Sequence, residues 1–323
     1  MAVTVPAVTV AAPQPLCTVD DPRLAELSGL VADGSGLWAM TDGGRRVEVH
    51  RLDHTTCAVT ETRRADIDPF DAEDLARGRD GALWVADTGD NDRTRDSVAV
   101  VVLPKRGKGV LHRLTYPDGP HDAEALLVDA EQRPLLITKE IGNQAGIYRT
   151  DTAPEGAGPI PLTKVGTVSL PASDTEGGPL GGIGSRLVTG AAATPDGRLV
   201  ALRTYTDAWL FPVVDGDVVA ALRGEPIRVP LPGEPQGEAI TFDEDGTLIS
   251  GSETRGGVPG ELRVVPGAAA LVPVGASVVP ASGTPTPEPE PAPTWLPAAV
   301  GGGVAVLALV VLMLAMTLRG RRR

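Results

Sequence analysis

Three glutamates recur at the openings of a repeated segment: Glu73, Glu124 and Glu238. Ser28 holds the same place in an earlier copy, and a small residue near Gly190 holds it in another. A second polar column closes a strand further along each copy. It reads Asp42 (one place late), Asp87, Lys139, Arg203 and Glu253. If the copies stand around an axis, these side chains converge on it. Three carboxylates in a narrow space repel one another unless a positive group joins them. Two solutions are open. A Ca²⁺ ion held by Glu73, Glu124 and Glu238 suits an all-oxygen donor set. Alternatively, Lys139 and Arg203 pair with the glutamates and neutralise the ring without a metal.

Other chemistry-bearing residues form weaker patterns. Asp87, Asp90 and Asp92 in Asp-Thr-Gly-Asp-Asn-Asp are a second acidic set. They lack the spacing of an EF-hand loop, and Arg95 follows as a partner for Asp90, so a hydrogen-bonded turn is expected. His50 and His54 fall in a strand and its following loop, not on one helical face. His121 stands beside Asp122 and Glu124, where a general base is conceivable and an exposed turn histidine is the simpler expectation. There is no Gly-x-Ser-x-Gly elbow and no His-Glu-x-x-His. The glycine-rich run Gly177 to Gly184 does not link a strand to a helix, so it reads as a loop, not a phosphate cradle.

The elements that must position these groups are short strands. Five segments share an apolar opening, a Gly/Asp turn and an apolar strand. They begin at Ser28, Glu73, Glu124, Gly190 and Glu238, roughly 45 to 66 residues apart. Further strand-like runs follow the openings: Val47 to Leu52, Ala58 to Arg63, Val98 to Leu103, Leu111 to Tyr116, Ile147 to Arg149, Val165 to Leu170, Leu262 to Val265 and Ala269 to Val274. Asp80-Gly81, Asp118-Gly119, Asp196-Gly197 and Asp245-Gly246 mark turns that need a positive φ. The pattern predicts an all-β protein, a β-propeller of four-stranded blades. Five blades are legible, and a sixth, degenerate one fits between Gly142 and Thr189. A β-sandwich is the other all-β option, which repeats of this length disfavour. Trp38 and Trp84 occupy equivalent places and are expected between blades. Tyr205 and Trp209 are expected in the core, with a ligand-facing role as the alternative.

The stretches Asp71 to Arg95 and Tyr116 to Asp129, with Ser28-Gly29-Leu30 and Gln236 to Ile240, resemble a bacterial secreted or membrane-anchored propeller family. That family is loosely related to phytase-like and "esterase-like activity of phytase" propellers. The resemblance covers most of Leu27 to Val265. It implies the propeller fold and leaves the activity open, because the calcium-rich catalytic face of phytase-like propellers is not reproduced residue by residue.

Charge and the chain end bear on location. The chain has 29 Lys+Arg against 42 Asp+Glu, a net charge of −13. Such a surface repels nucleic acid, which is excluded as a partner. Gly283 to Pro293 is rich in Pro, Thr and Glu. Trp295 follows, then an uncharged run from Ala298 to Leu318, then Arg319-Gly320-Arg321-Arg322-Arg323. At ~1.5 Å per residue the uncharged run crosses the ~30 Å hydrocarbon layer of a bilayer. The flanking arginines place the C-terminus in the cytoplasm. The expected organisation is a degenerate or truncated signal at 1–15, a propeller ectodomain at 16–280, a stalk at 281–294, a transmembrane helix at 295–318 and a basic tail at 319–323. A tail-anchored protein with a cytosolic domain is the alternative topology. On the outside of a cell, Cys17 and Cys57 are expected to form one disulfide.

These readings lead to two functional expectations. One is a cell-surface binding module that captures a ligand or protein through its central funnel or rim. The other is a calcium-dependent hydrolase of phosphate or carboxylic esters, with Lys139 and Arg203 stabilising an oxyanion.

Overall fold

The computed structural model describes residues 10–142 and 144–272. The chain divides into two units, Met1–Ala281 and Ser282–Arg323. The expected stalk, membrane span and basic tail lie outside the described residues, as do residues 1–9 of the expected signal. Among the described residues no helix is long and apolar enough to cross a membrane.

Strand β1 (Gln14–Val19) precedes the first blade, which is β2 (Leu27–Ala32), β3 (Leu37–Thr41), β4 (Val47–Leu52) and β5 (Val59–Ala65). The second blade is β6 (Ala72–Arg77), β7 (Leu83–Asp87), β8 (Val98–Leu103) and β9 (Val110–Thr115). The third is β10 (Ala123–Val128), β11 (Pro134–Thr138), β12 (Ala145–Thr150) and β13 (Ile160–Val168). The fourth is β14 (Val188–Ala193), β15 (Leu199–Thr204), β16 (Asp207–Pro212) and β17 (Ile227–Pro230). The fifth contains β18 (Gly237–Phe242), β19 (Leu248–Ser252) and β20 (Gly260–Val265), and β1 returns as its outermost strand. Innermost strands β2, β6, β10, β14 and β18 neighbour one another in a closed ring. The result is a five-bladed propeller.

Two expectations are corrected here. Among the described residues no sixth blade lies between Gly142 and Thr189: the interval holds β12, the nine-residue β13, a long loop and a short 3₁₀ turn at Gly181–Arg186. Of the run Ala269 to Val274, the described part is not a strand, since Ala268–Leu271 forms a 3₁₀ turn; residues 273 and 274 lie outside the described residues. Its place in blade five is taken by β1, which pairs antiparallel with β20. Cys17 on β1 is bonded to Cys57 in the first blade, with Cα atoms 5.8 Å apart, so the disulfide fastens the closing strand to the blade beside it.

Each blade is packed on both faces, which is why its inner strands read as continuous apolar runs instead of alternating ones. Five buried clusters fill the five junctions. Trp38 and Met40 of blade one meet Leu75 and Val85 of blade two, and Trp84 meets Leu126 and Leu136 at the next junction. The tryptophans thus lie between blades, as expected. Trp209 is also core, in the junction of blades three and four. The turns behave as their Asp-Gly pairs require: Gly81, Gly119, Gly197 and Gly246 have φ of 76°, 101°, 68° and 81°.

Candidate functional site: the acidic mouth of the central channel

All five innermost strands carry a β-bulge at the same point of their ladder. The register with the second strand shifts across Ser28, Glu73, Glu124, Thr189 and Glu238. A bulge inserts one residue, bends its strand and re-aims the side chain there. One device repeated five times therefore turns one residue per blade toward the axis. Thr189 is the small residue that the sequence placed only approximately, near Gly190. Ser28 and Thr189 use their hydroxyls locally, donating to the Glu73 carbonyl at 2.5 Å and the Gly237 carbonyl at 2.9 Å of the following blade. The glutamates remain for other work.

Glu73, Glu124 and Glu238 are buried, at 5%, 3% and 5% exposure. The column two residues earlier adds acids that the sequence reading passed over as ligands: Asp71 and Asp122, with Gln236 in the fifth blade. The signal was present as the repeated Asp-Ala-Glu at 71–73 and 122–124. In an extended strand i and i+2 share a side. One oxygen each from Glu73, Asp122 and Glu124 lies within 4.8 Å of the others. Glu238 does not join this group. It accepts from Gln236 Nε2 at 3.0 Å, lies 3.3 Å from Ser28 Oγ, and shares a carboxyl hydrogen bond with Glu253. The metal set expected from sequence, Glu73, Glu124 and Glu238, is thus corrected to Glu73, Asp122 and Glu124 as the convergent set.

The second polar column needs a register correction. Across the bulges the ladder aligns Thr41, Asp87, Thr138, Thr204 and Ser252, so the residues that follow at the mouth are Asp42, Thr88, Lys139, Tyr205 and Glu253. Asp42, Lys139 and Glu253 belong to both the column read from sequence and this one. Asp87 is one place early. It accepts the Phe70 and Asp71 amides at 3.1 and 3.0 Å and pairs with Arg95 at 3.1 Å, thereby shaping the loop that presents Asp71. Arg203 is two places early and fully buried, and its partner is Glu234, itself held by Ser250 Oγ at 2.7 Å. Arg203 therefore does not neutralise the glutamate ring.

Lys139 does join the ring. It is hydrogen-bonded to Glu124 Oε1, and its ammonium lies 5.5 Å from the centre of the Tyr205 ring. The other Glu124 oxygen, Oε2, is buried without a partner. Burial and the surrounding carboxylates Glu124, Asp71, Glu238 and Asp122 push Glu73 well above the usual carboxylate range. Burial does the same to Glu124, against the pull of Lys139. Burial first, then neighbouring acids, raises Asp42 to about 7 and Glu253 to about 9. Asp71 and Asp122 are also raised, chiefly by burial. Carboxylates crowd the mouth, and Lys139 is the ammonium hydrogen-bonded among them.

Beneath the glutamates the axis is closed. The residues after the five bulges are Gly29, Asp74, Ala125, Gly190 and Ala239, four small residues and one acid. The Asp74 carboxylate is fully buried and accepts amides from its own strand (Leu75, 2.8 Å), from β10 (Leu126, 2.7 Å) and from β14 (Ala191, 3.1 Å). Since β14 does not adjoin β6 in the ring, this carboxylate crosses the axis. A Cβ on Gly29 would stand 2.7 Å from that of Leu75, so the neighbouring strands need the missing side chain to come this close.

The other sequence candidates resolve as follows. Asp90 accepts the Thr94 and Arg95 amides at 2.9 and 2.8 Å, a hydrogen-bonded turn, while the Arg95 guanidinium goes to Asp87 and not to Asp90. His50 is buried inside blade one against Thr62, at 2.9 Å. His121 is not an exposed turn residue. Its Nε2 lies 2.9 Å from both Asp118 Oδ1 and the Tyr148 hydroxyl, and its ring meets Tyr116 edge-on at 5.0 Å.

Fold and site define a five-bladed propeller with an acidic channel mouth and a closed axis below it. No protein-family model matches the chain, and no curated protein matches it. Among solved structures it is similar to a gluconolactonase from Xanthomonas campestris, with 16% identity over 81% of this chain and 99% of that one at a TM-score of 0.42. It is also similar to virginiamycin B lyase from Staphylococcus aureus, crystallised with quinupristin (13%, 76% and 68%, TM-score 0.38). A third is regucalcin, a calcium-binding protein from Agrobacterium tumefaciens (13%, 76% and 72%, TM-score 0.38). Likenesses this distant carry no argument about activity. Of the resemblance drawn from sequence, the propeller stands on the strand topology itself, and a phytase-like kinship is not among what these structures show.

Proposed function

We propose that the channel mouth is a divalent-cation site and that the protein is a cation-dependent binding module. The observation that carries this reading is the convergence of Glu73, Asp122 and Glu124 within 4.8 Å, with Glu124 Oε2 buried and unpartnered. Hard carboxylate oxygens of this kind suit Ca²⁺, which accepts six to eight oxygen ligands. Lys139 offsets part of the charge and leaves Glu73 and Asp122 without a hydrogen-bonded cation. Lys139 and Tyr205 stand beside Glu124, where they would orient an oxygen-bearing ligand.

That placement favours a second reading, metal-assisted hydrolysis of a phosphate or carboxylic ester. A bound cation supplies Lewis-acid polarisation of a ligand oxygen. Lys139 would donate to developing negative charge, and the Asp71 carboxylate, two residues before Glu73, would accept a proton. We place the propeller outside the cell on a single C-terminal span, as the run from Ala298 to Leu318 suggests.

Calorimetric titration of the chelator-stripped full chain in mild detergent tests both readings. Saturable Ca²⁺ heat that disappears in Glu124→Gln and Asp122→Asn supports the cation site. Ca²⁺-dependent turnover of aryl esters or aryl phosphates, lost with Lys139→Met, would then select the hydrolase. An absence of Ca²⁺, Mg²⁺ and Zn²⁺ heat sinks the cation reading.

A further inference from the structure

The mouth has a second half that the convergent set leaves unused. Asp42, Glu238 and Glu253 come from blades one and five, and Asp42 Oδ1 is a buried oxygen with no partner. No Lys or Arg side chain among the described residues forms an ion pair with any of the three, although Arg255 reaches the neighbouring Gln236 through its side-chain oxygen. Around the same opening stand the most exposed apolar side chains of the propeller. Phe70 is 83% exposed, Ile141 77% and Val258 55%, with Leu180 and Ile183 close to half exposed.

Topology puts all five on one face. The inner strands begin at the mouth. Connections from a fourth strand to the next inner strand, and from a second strand to a third, therefore also open there. Phe70 lies between β5 and β6, Ile141 between β11 and β12, Leu180 and Ile183 between β13 and β14, and Val258 between β19 and β20. Of the other exposed large apolar residues, Val110 and Val214 lie at the opposite face. Apolar residues scattered singly need no explanation, but these five, the collar residues, all lie on the face that carries the charged opening. Phe70 is also held in place, with the Arg95 guanidinium 5.0 Å from its ring centre.

We propose that this mouth and collar form a docking site for an extended, basic segment of a partner protein, one Lys or Arg side chain entering between Asp42, Glu238 and Glu253 while flanking apolar side chains rest on Phe70, Ile141 and Val258. An entering guanidinium donates to the unpartnered Asp42 oxygen and to the Glu238–Glu253 pair, which releases the proton it shares, and charge complementarity favours such a donor-rich cation. The collar residues come from separate connections around the opening, so an occupant that reaches several of them must cross the mouth. An extended peptide does so, sending alternate side chains down and outward. The site uses acids of blades one and five that lie outside the convergent set Glu73, Asp122 and Glu124.

The test is fluorescence anisotropy with a labelled pentapeptide of arginine flanked on each side by leucine and phenylalanine, added to the full chain in EDTA and again in Ca²⁺. Saturable binding is expected, weakened at least about tenfold when the peptide arginine becomes glutamate, and reduced by raised NaCl. The double variant Phe70→Ser, Ile141→Ser, at exposed positions that leave the fold intact, and separately Asp42→Asn, should each weaken binding about tenfold. Equal binding of the arginine and glutamate peptides, no binding of either, or full affinity in the Phe70/Ile141 variant overturns the proposal. So does a concentration-dependent dimer, seen by sedimentation, that this variant abolishes, since the collar would then serve a second copy of the chain. If peptide binds in EDTA while Ca²⁺ gives no heat, the cation reading falls and the docking site stands.

Discussion

The Asp74 carboxylate accepts the Leu126 amide across the junction between the second and third blades at 2.7 Å, and the same oxygen reaches the Ala191 amide of the fourth blade at 3.1 Å. One side chain thus satisfies backbone donors on two inner strands besides its own. Burial raises its pKa well above the carboxylate range, and the three amides oppose that rise. Asp74→Ala takes this acceptor from three buried N–H groups, those of Leu75, Leu126 and Ala191, and each one left unsatisfied costs ~1–3 kcal/mol. Urea denaturation should show a loss of several kcal/mol. Asp74→Asn, which keeps one acceptor oxygen, should lose less. Equal midpoints for wild type and Asp74→Ala would remove the axial carboxylate from the account of stability.

A second prediction concerns Gly237. A Cβ there would collide with the Arg203 guanidinium and stand 2.7 Å from Glu234 Oε2. Gly237 is the residue that lets this fully buried ion pair fit beneath the fifth blade. Gly237→Ala should separate the pair and leave an uncompensated buried charge, a cost of ~3–5 kcal/mol. Thermal unfolding reads the effect, and an unchanged midpoint in Gly237→Ala contradicts it.

The mouth carboxyls predict an unusual pH profile. Asp42 is raised to about 7 and Glu253 to about 9. In this window the folded protein holds more protons than the unfolded chain, so stability falls as pH rises. The metal-free protein should therefore be most stable near the ordinary carboxylate pKa and weaken progressively toward pH 9. Glu253→Gln should flatten the upper part of that decline. A stability curve that rises through neutral pH would show that other groups dominate.

The pairing of β1 with β20 closes the ring, and the disulfide anchors β1 to the first blade. Cys17 and Cys57 are 40 residues apart, and the bond joins the closing strand β1 to the first blade. Closing a loop of that length restricts the unfolded chain by roughly 4 kcal/mol on the loop-entropy model. Reduction, or the double variant Cys17→Ser, Cys57→Ser, should lower the unfolding midpoint accordingly. Hydrogen exchange should show β1 and β20 losing protection first. Uniform loss of protection across all blades would argue that closure is not the weak point.

How far the sequence carried can be seen in the inner strands. Their openings, their Asp-Gly turns and the tryptophans between blades followed from local pattern, because each strand must be apolar on both faces and each turn needs a positive φ. The outer strands were less legible. β16 and β17 escaped notice, and the fourth strand of blade five was sought just downstream when it comes from the N-terminus. Strand pairing across some 240 residues leaves no local trace.

The sequence by itself determined the repeated strand pattern with five legible openings, the acidic residues at those openings, and Glu73 and Glu124 among them, since residue type and repeat position suffice for that. Only the tertiary structure decided which neighbours those glutamates meet. The bulge in each inner strand shifts the ladder by one residue. That shift takes Asp87 and Arg203 away from the mouth, brings Asp122 to Glu73 and Glu124, and leaves Glu238 to Glu253. A shift of one residue swaps the face a side chain occupies, and a bulge is fixed by pairing with another strand, not by the residues it moves.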